Sequence, residues 1–146
     1  KHFAENKRAR YDYEILETLE AGLELQGHEV KSLRNKLGSL KGARVVARGG
    51  EAYLVGATIP AWQLANAPKS YDPMRNRRLL LNAKEIRVIA DTESQAGLTI
   101  IPLSVYNKQR HLKLSLGIVR GKKKADKRQS IREREDKRRI SRTMHE

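Results

Sequence analysis

The strictest pattern of hydrophobic and polar positions lies near the end of the chain, between residues 98 and 119. From residue 112 to residue 118, large aliphatic side chains alternate with polar or small ones. This alternation is typical of a strand with one buried face and one solvated face. Residues 98–106 form a second apolar run, so the two runs predict an antiparallel hairpin. Pro102 has no amide hydrogen to donate, which predicts an edge or a bulge in the first strand.

Shorter strands are predicted earlier in the chain. Tyr13, Ile15 and Leu19 fall on one side of a period-2 pattern, and residues 28–33 also have an extended pattern. Residues 43–48 and 51–55 are separated by two glycines, which is typical of a hairpin turn. About six short strands, with one helix set between them, predict a mainly β protein built as a small barrel.

One helix and one arm complete the predicted domain. Asn82 is followed three residues later by Glu85, a pairing that predicts a helix beginning at this point, and Gly97 predicts its end. Residues 1–10 are polar and basic, so we expect them to form an arm outside the core.

The charge of the chain restricts its partners. The net charge is +14, and the segment from residue 120 onward holds 12 Lys/Arg against 5 Asp/Glu, which is half of the excess. A basic body with a basic extension is typical of a protein that binds nucleic acid. No stretch is apolar enough to span a membrane and no signal peptide is apparent, so we expect a cytoplasmic protein that does not bind membranes.

The C-terminal segment has little to bury, because Ile131, Ile140 and Met144 are its only large apolar residues. Asp126 and Gln129 have the spacing of a capping box, which predicts a helix beginning near Asp126. A lone helix of this length is marginal in water. We therefore expect residues 121–146 to be a tail that is disordered alone and helical on RNA, following a domain at residues 1–120.

Five strings of residues, in order and with compatible spacing, resemble the bacterial SsrA-binding protein family, also called small protein B. The resemblance covers nearly the whole chain. The strings are NKRARYDY at 6–13, EAG at 20–22, GHEVKSLR at 27–34, YDPMRNRRLLLN at 71–82 and GKKKADKR at 121–128.

The resemblance implies a specific function. Family members have an oligonucleotide-binding (OB) type barrel that binds the tRNA-like domain of transfer-messenger RNA, filling the space of the lower half of a tRNA. The protein and transfer-messenger RNA together rescue stalled ribosomes, a process called trans-translation. The tail enters the empty mRNA channel beyond the decoding centre and becomes helical there. The resemblance therefore predicts a non-enzymatic protein, which we expect to be monomeric on RNA.

Family positions that face RNA match four residues here, and each also has an ordinary structural explanation. Asn82 fits a helix cap as well as an RNA contact. Leu80 is one of three consecutive leucines, so alternation would send one of them outward, where it could pack on an unstacked base. Glu20 could accept hydrogen bonds from RNA or be a strand-end charge, and Lys113 could bind phosphate or be merely solvated.

Basic clusters add further candidates. Two of them lie in the body, where we expect phosphate contacts from Lys7, Arg8, Arg10, Arg75, Arg77 and Arg78. The predicted ribosome-contacting residues of the tail are Lys122, Lys123, Lys124, Asp126, Lys127, Arg128, Ile131, Arg134 and Arg138. The chain departs from the family at Ala125, where many members have His, and alanine has no ring with which to stack.

Two other classes of protein fit the sequence less well. A ribosomal protein or translation factor with a basic OB-type barrel would bind RNA without preferring one small RNA. An RNA-processing enzyme would need clustered carboxylates around a metal, whereas the acidic residues of the body are scattered. The four histidines lack ligand spacing, so we expect no catalytic residue, no metal, no cofactor and no small-molecule substrate.

Overall fold

The computed structural model describes residues 2–63 and 69–122, which form a mainly β domain. Within these residues there are three helices: α1 (Ala9–Asp12), α2 (Gly27–Arg34) and α3 (Ala83–Glu93). The same residues form a sheet of seven strands: β1 (His2–Glu5), β2 (Tyr13–Leu23), β3 (Arg44–Arg48), β4 (Glu51–Val55), β5 (Arg77–Leu80), β6 (Leu98–Lys108) and β7 (His111–Gly121).

The sheet curls into a small barrel. Its strand order is β1-β6-β7-β2-β5-β4-β3, and all neighbouring strands are antiparallel. β3 packs against β6, which brings the two sides of the sheet together, and α3 packs on both of these strands. The predicted mainly β fold is therefore confirmed. None of the helices among the described residues is long and apolar enough to cross a membrane.

The barrel interior is aliphatic, as the alternation in the sequence predicts. The four aliphatic residues of β7 from 112 to 118 are all buried, and Lys113 and Ser115 between them remain partly exposed. The predicted hairpins β6–β7 and β3–β4 are both present. The predicted start of α3 after Asn82 is confirmed as well.

Two bulges change which side chains face the core. In β2 the register with β7 shifts between Ile15 and Glu17, and in β6 it shifts between Pro102 and Ser104. The bulge predicted from Pro102 is therefore confirmed. Because a bulge inserts one unpaired residue, it exchanges the two faces of a strand for all later residues. The prediction that Tyr13 and Ile15 share a side with Leu19 is wrong for this reason.

A second, smaller apolar cluster lies on the outside of the barrel, under α1. Ala9 of α1 is buried there with Ile101 and Val119, and Tyr13 and Ile15 pack around them. The prediction that residues 1–10 form an arm outside the core is wrong. Instead β1 pairs with β6, and α1 covers apolar residues that β2, β6 and β7 turn outward.

The extended structure predicted for residues 28–33 is also wrong, because these residues belong to α2. Glu29, near the start of this helix, accepts a hydrogen bond from the Gln26 amide at 2.7 Å. This contact satisfies one of the free amides at a helix start. The Glu29 side chain also forms ion pairs with residues far along the chain. No local sequence pattern reveals these tertiary contacts.

Candidate nucleic-acid interface

Residues from four strands meet on one outer surface at the end of the barrel away from α1. Gly22 of β2 lies opposite Leu80 of β5 and also opposite Lys113 of β7, and Lys113 lies opposite Tyr106 of β6. Residues directly opposite each other in antiparallel strands share a face. Glu20, two residues before Gly22, joins the same face. We call this surface, made of Glu20, Gly22, Leu80, Tyr106 and Lys113, the polar face.

Leu80 is the apolar centre of the polar face. Its relative exposure is 49%, whereas the preceding Leu79 is fully buried in the barrel. Gly22 has no side chain to compete for the space, so Leu80 lies over its backbone. The outward orientation expected for one of the three leucines is thus that of Leu80, and its packing on a base or a ribose stays a prediction.

Glu20 is held by two neighbours on the polar face. The Tyr106 hydroxyl donates a hydrogen bond to Glu20 Oε2, and Lys108 Nζ lies 3.0 Å from Glu20 Oε1. The hydrogen bond from Tyr106, followed by that from Lys108, lowers the pKa of Glu20. Burial and the contact with Glu20 raise the pKa of Tyr106 to about 12. The carboxylate is therefore an oriented acceptor whose charge Lys108 balances.

Two cationic side chains on this side of the barrel, Arg78 and Lys113, differ in whether an acidic residue already binds them. Arg78 is bound to Glu51 at 2.8 Å and to Glu24 at 3.0 Å, and the hydrogen bond to Glu51 is the main reason that its pKa is raised. Within residues 2–63 and 69–122, the ammonium group of Lys113 forms neither a hydrogen bond nor an ion pair. Lys113 is therefore better placed than Arg78 to bind a phosphate.

Asn82 caps α3, as predicted. Its Oδ1 accepts from the Glu85 amide at 2.8 Å, and Glu85 Oε1 accepts from the Asn82 amide at 3.1 Å. The cap uses the side-chain oxygen of Asn82, which is an exposed residue. The side-chain nitrogen, Nδ2, is left as a donor. An RNA contact by Asn82 therefore stays a prediction, and it would have to use that nitrogen.

The prediction that Arg77 contacts RNA is wrong in this fold, because its side chain is completely buried. Its Nη2 lies 2.8 Å from Glu29 Oε2, and its Nη1 donates to the Ala57 carbonyl at 3.0 Å. Arg75 also binds Glu29, at 2.5 Å, with 29% of its side chain exposed. Both arginines in this part of the cluster serve the fold.

Glu29 is the centre of a buried network that sequence reasoning missed. Burial would raise the pKa of this carboxyl, but the hydrogen bonds led by Arg75 outweigh it and lower the pKa to about 2. The Tyr71 hydroxyl lies 2.9 Å from Glu29 Oε2, and burial together with Glu29 raises the pKa of Tyr71 to about 12. The network ties α2 to the first residue of β5, the strand that carries Leu80.

The predicted N-terminal patch of Lys7, Arg8 and Arg10 lies at the other end of the barrel, around α1. Arg8 forms an exposed ion pair with Asp12 at 3.3 Å. Lys122, the last residue before the undescribed C-terminal segment, donates from Nζ to the Arg10 carbonyl at 2.7 Å. The patch therefore lies beside the point from which the tail departs.

β2 separates these two regions. Tyr13 begins the strand beside α1, and Gly22 on the polar face follows nine residues later. At about 3.3 Å per residue, the strand places them roughly 30 Å apart. The structure therefore brings Glu20, Leu80 and Lys113 together, but it does not bring the N-terminal patch to them.

The predicted contact residues beyond Lys122, from Lys123 to Arg138, lie outside the described residues.

Comparison with known proteins gives a consistent result. The family model described as "SmpB protein" matches residues 3–146. The SsrA-binding protein of Thermosynechococcus vestitus is 45% identical over 144 residues, covering 99% of this chain and 95% of that protein. The SsrA-binding protein of Staphylococcus aureus (strain Newman) is 43% identical over 141 residues, covering 97% and 91%.

Structural comparison agrees. A solved structure described as "tmRNA-SmpB: a journey to the center of the bacterial ribosome" superposes with a TM-score of 0.68 at 41% identity, covering 88% of this chain and 93% of that one. A family match over residues 3–146 and relatives that are 43–45% identical carry the conclusion. The chain belongs to the SmpB protein family.

Proposed function

We propose that this protein binds the tRNA-like domain of transfer-messenger RNA and delivers it to stalled ribosomes for trans-translation. One observation carries the proposal: Glu20, Leu80 and Lys113, distant in sequence, come together on one exposed face. The names of the relatives and the structural neighbour, which mention SsrA, tmRNA and the bacterial ribosome, support the same partners.

The polar face offers three different kinds of contact. Lys113 supplies a positive charge for a backbone phosphate, and Leu80 supplies an apolar surface for a base or ribose. Glu20 accepts a hydrogen bond from a 2′-hydroxyl or a base amino group, and the latter discriminates among bases. The role is one of binding and positioning, with no reaction step.

The position of Lys122 supports a division of labour between residues 1–120 and residues 121–146. Lys122, after which the tail continues, lies beside α1 at the end of the barrel opposite the polar face. We propose that the barrel holds transfer-messenger RNA while the basic tail contacts ribosomal RNA of the decoding centre and the mRNA channel. The N-terminal patch, beside the tail, would then contact the ribosome as well.

Co-purification from a bacterial lysate, followed by sequencing of the bound RNA, tests the proposal. We expect one dominant small RNA with a tRNA-like end. A Lys113→Gln variant should recover much less of it, whereas Arg44→Gln, which removes one charge on the side near α1, should recover nearly as much. Recovery of ribosomal RNA fragments alone would overturn the proposal in favour of a ribosomal protein or translation factor.

A further inference from the structure

The turn that joins β6 to β7 has an unusual backbone. Lys108 and His111 pair across it, which leaves Gln109 and Arg110 as its two central residues. Their φ angles are 50° and 70°, in the left-handed region. Hairpin turns of this kind favour Asn-Gly or Gly-Gly, because other side chains are strained there. A long basic side chain at the second position therefore has a conformational cost that glycine would avoid.

Arg34 of α2 holds this turn through two hydrogen bonds. Its Nη2 donates to Asn107 Oδ1 at 3.2 Å and to the Arg110 carbonyl at 3.3 Å. Its guanidinium also lies 5.7 Å from the centre of the Phe3 ring. These contacts fix the backbone of the turn and leave the Arg110 side chain exposed.

Arg110 also differs from its neighbours in charge pairing. Lys108, on the same turn, is bound to Glu20. In the part of the chain that the structure describes, the guanidinium of Arg110 has no hydrogen bond or ion pair, and the same is true of the Lys113 ammonium. The turn therefore presents a cation that is free to bind an anion.

Arg110 and Lys113 both line a cavity of about 210 Å³, which Leu80 lines as well. Arg34 and His111 line the same cavity, together with Gly22 and further aliphatic side chains. A nucleic-acid strand that crosses Leu80 would pass over this cavity. Its phosphates would then lie near Arg110 and Lys113, which line it.

We propose that the β6–β7 turn is a phosphate-binding element of the RNA interface, in which Arg110 binds a backbone phosphate and Arg34 is a positioning residue. The inference rests on the proposed function, because it takes the polar face as the RNA-binding surface. It adds an element to that surface that the sequence did not predict. It also gives a reason for the strained residue in the turn.

The substitution Arg110→Gly separates binding from folding. Glycine suits the left-handed backbone, so the melting temperature should stay the same or rise. Affinity for a transcript of the tRNA-like domain should fall roughly tenfold at moderate salt. The slope of log K against log salt should fall by about 0.7 to 0.9.

Lys36→Gly provides a matched control. Lys36 also has a left-handed backbone, with φ 60°, and its replacement likewise removes one positive charge, but it does not line the cavity. We expect wild-type affinity and an unchanged salt slope for this variant. Wild-type affinity of Arg110→Gly, or an equal loss in Lys36→Gly, would overturn the proposal.

The role of Arg34 is tested by a double-mutant cycle. Arg34→Gln should weaken binding when Arg110 is present and have little further effect in the Arg110→Gly background, because it acts through the turn. Fully additive losses would show that Arg34 does not position Arg110.

A second measurement separates this inference from the proposed function. If the wild-type protein fails to bind the tRNA-like transcript, the proposed function fails. NMR titration with a short single-stranded RNA then tests the phosphate-binding role of the β6–β7 turn by itself. A shift of the Arg110 side-chain resonance supports phosphate binding, and an unmoved resonance overturns it.

Discussion

Gly22 and Leu80 face each other across the ladder between β2 and β5, so closely that a Cβ added to Gly22 would lie 3.1 Å from the Leu80 Cβ. The absence of a side chain at Gly22 is thus what lets Leu80 lie flat at the centre of the polar face. The first prediction follows from this contact.

Gly22→Ala should weaken RNA binding while leaving the fold intact. The new methyl group displaces Leu80 by a few tenths of an ångström, and Leu80 can move because it is half exposed. We expect several-fold weaker binding of the tRNA-like domain in a filter-binding assay. Gly27→Ala is the control, since an added Cβ there meets nothing within 4 Å. Equal effects of the two changes would contradict the role given to Leu80.

Tyr106→Phe should release Glu20 from its main hydrogen bond. The pKa of Glu20 should then rise toward its ordinary value, because that bond is the largest cause of its lowering. RNA affinity should fall a few-fold because the acceptor is no longer oriented. Carboxyl NMR titration measures the first effect and RNA titration the second. Tyr53→Phe, on β4, should change neither value. A Glu20 pKa that does not rise in Tyr106→Phe would refute the prediction.

Acid should destabilise the barrel through Glu29. The pKa of Glu29 is lowered from 4.5 to about 2 in the folded protein. A lowered folded-state pKa stabilises the fold fully above the unfolded value, and this contribution is lost as the pH falls toward about 2. The shift corresponds to about 3 kcal/mol. Urea unfolding between about pH 6 and pH 2.5 should show the decline.

Glu29→Gln should remove that part of the pH dependence. It should also cost about 3–5 kcal/mol at neutral pH, because Arg77 loses the partner of its buried charge. Glu51→Gln is the control, since that carboxyl is exposed and its loss should cost little. If the wild type and Glu29→Gln lose stability in parallel as the pH falls, the role assigned to Glu29 is wrong.

A chain ending at Lys122 should separate the two proposed functions. It keeps all seven strands that the structure describes and the contact of Lys122 with Arg10, so binding of the tRNA-like domain should be largely retained. Rescue of stalled ribosomes in a reconstituted translation assay should be abolished, because the basic segment is gone. Complete loss of RNA binding would instead place the tail in the barrel's interface.

Local patterns predicted the parts of the fold that depend on local chemistry. The alternation in β7, the two-glycine turn between β3 and β4, and the Asn82–Glu85 cap are each determined by residues a few positions apart. The same patterns failed where tertiary contacts decide. Residues 28–33 form a helix that carries Glu29 to two arginines more than 40 positions away, and only the fold reveals that partnership.

The candidate site was predicted in part for the same reason. Resemblance supplied Glu20, Leu80 and Lys113, and the strand register brings them together. Arg77 was chosen from a charge cluster, but period-2 alternation in β5 turns it inward beside exposed Arg78. Tyr106 and Arg110 were missed because their importance arises from a hydrogen bond to Glu20 and from a backbone angle, neither of which has a signal in the sequence.

The two bulges described above set the phase of the strands that flank β7. Leu16 and Leu103 are the inserted residues, and both precede the polar face in their strands. If Leu16 were deleted, every later side chain of β2 would move to the opposite face of the strand. Glu20 would then lie inside the barrel and Ala21 in water. A one-residue deletion outside the polar face would thus remove the Glu20 carboxylate from it, although Glu20 itself would still be present in the chain.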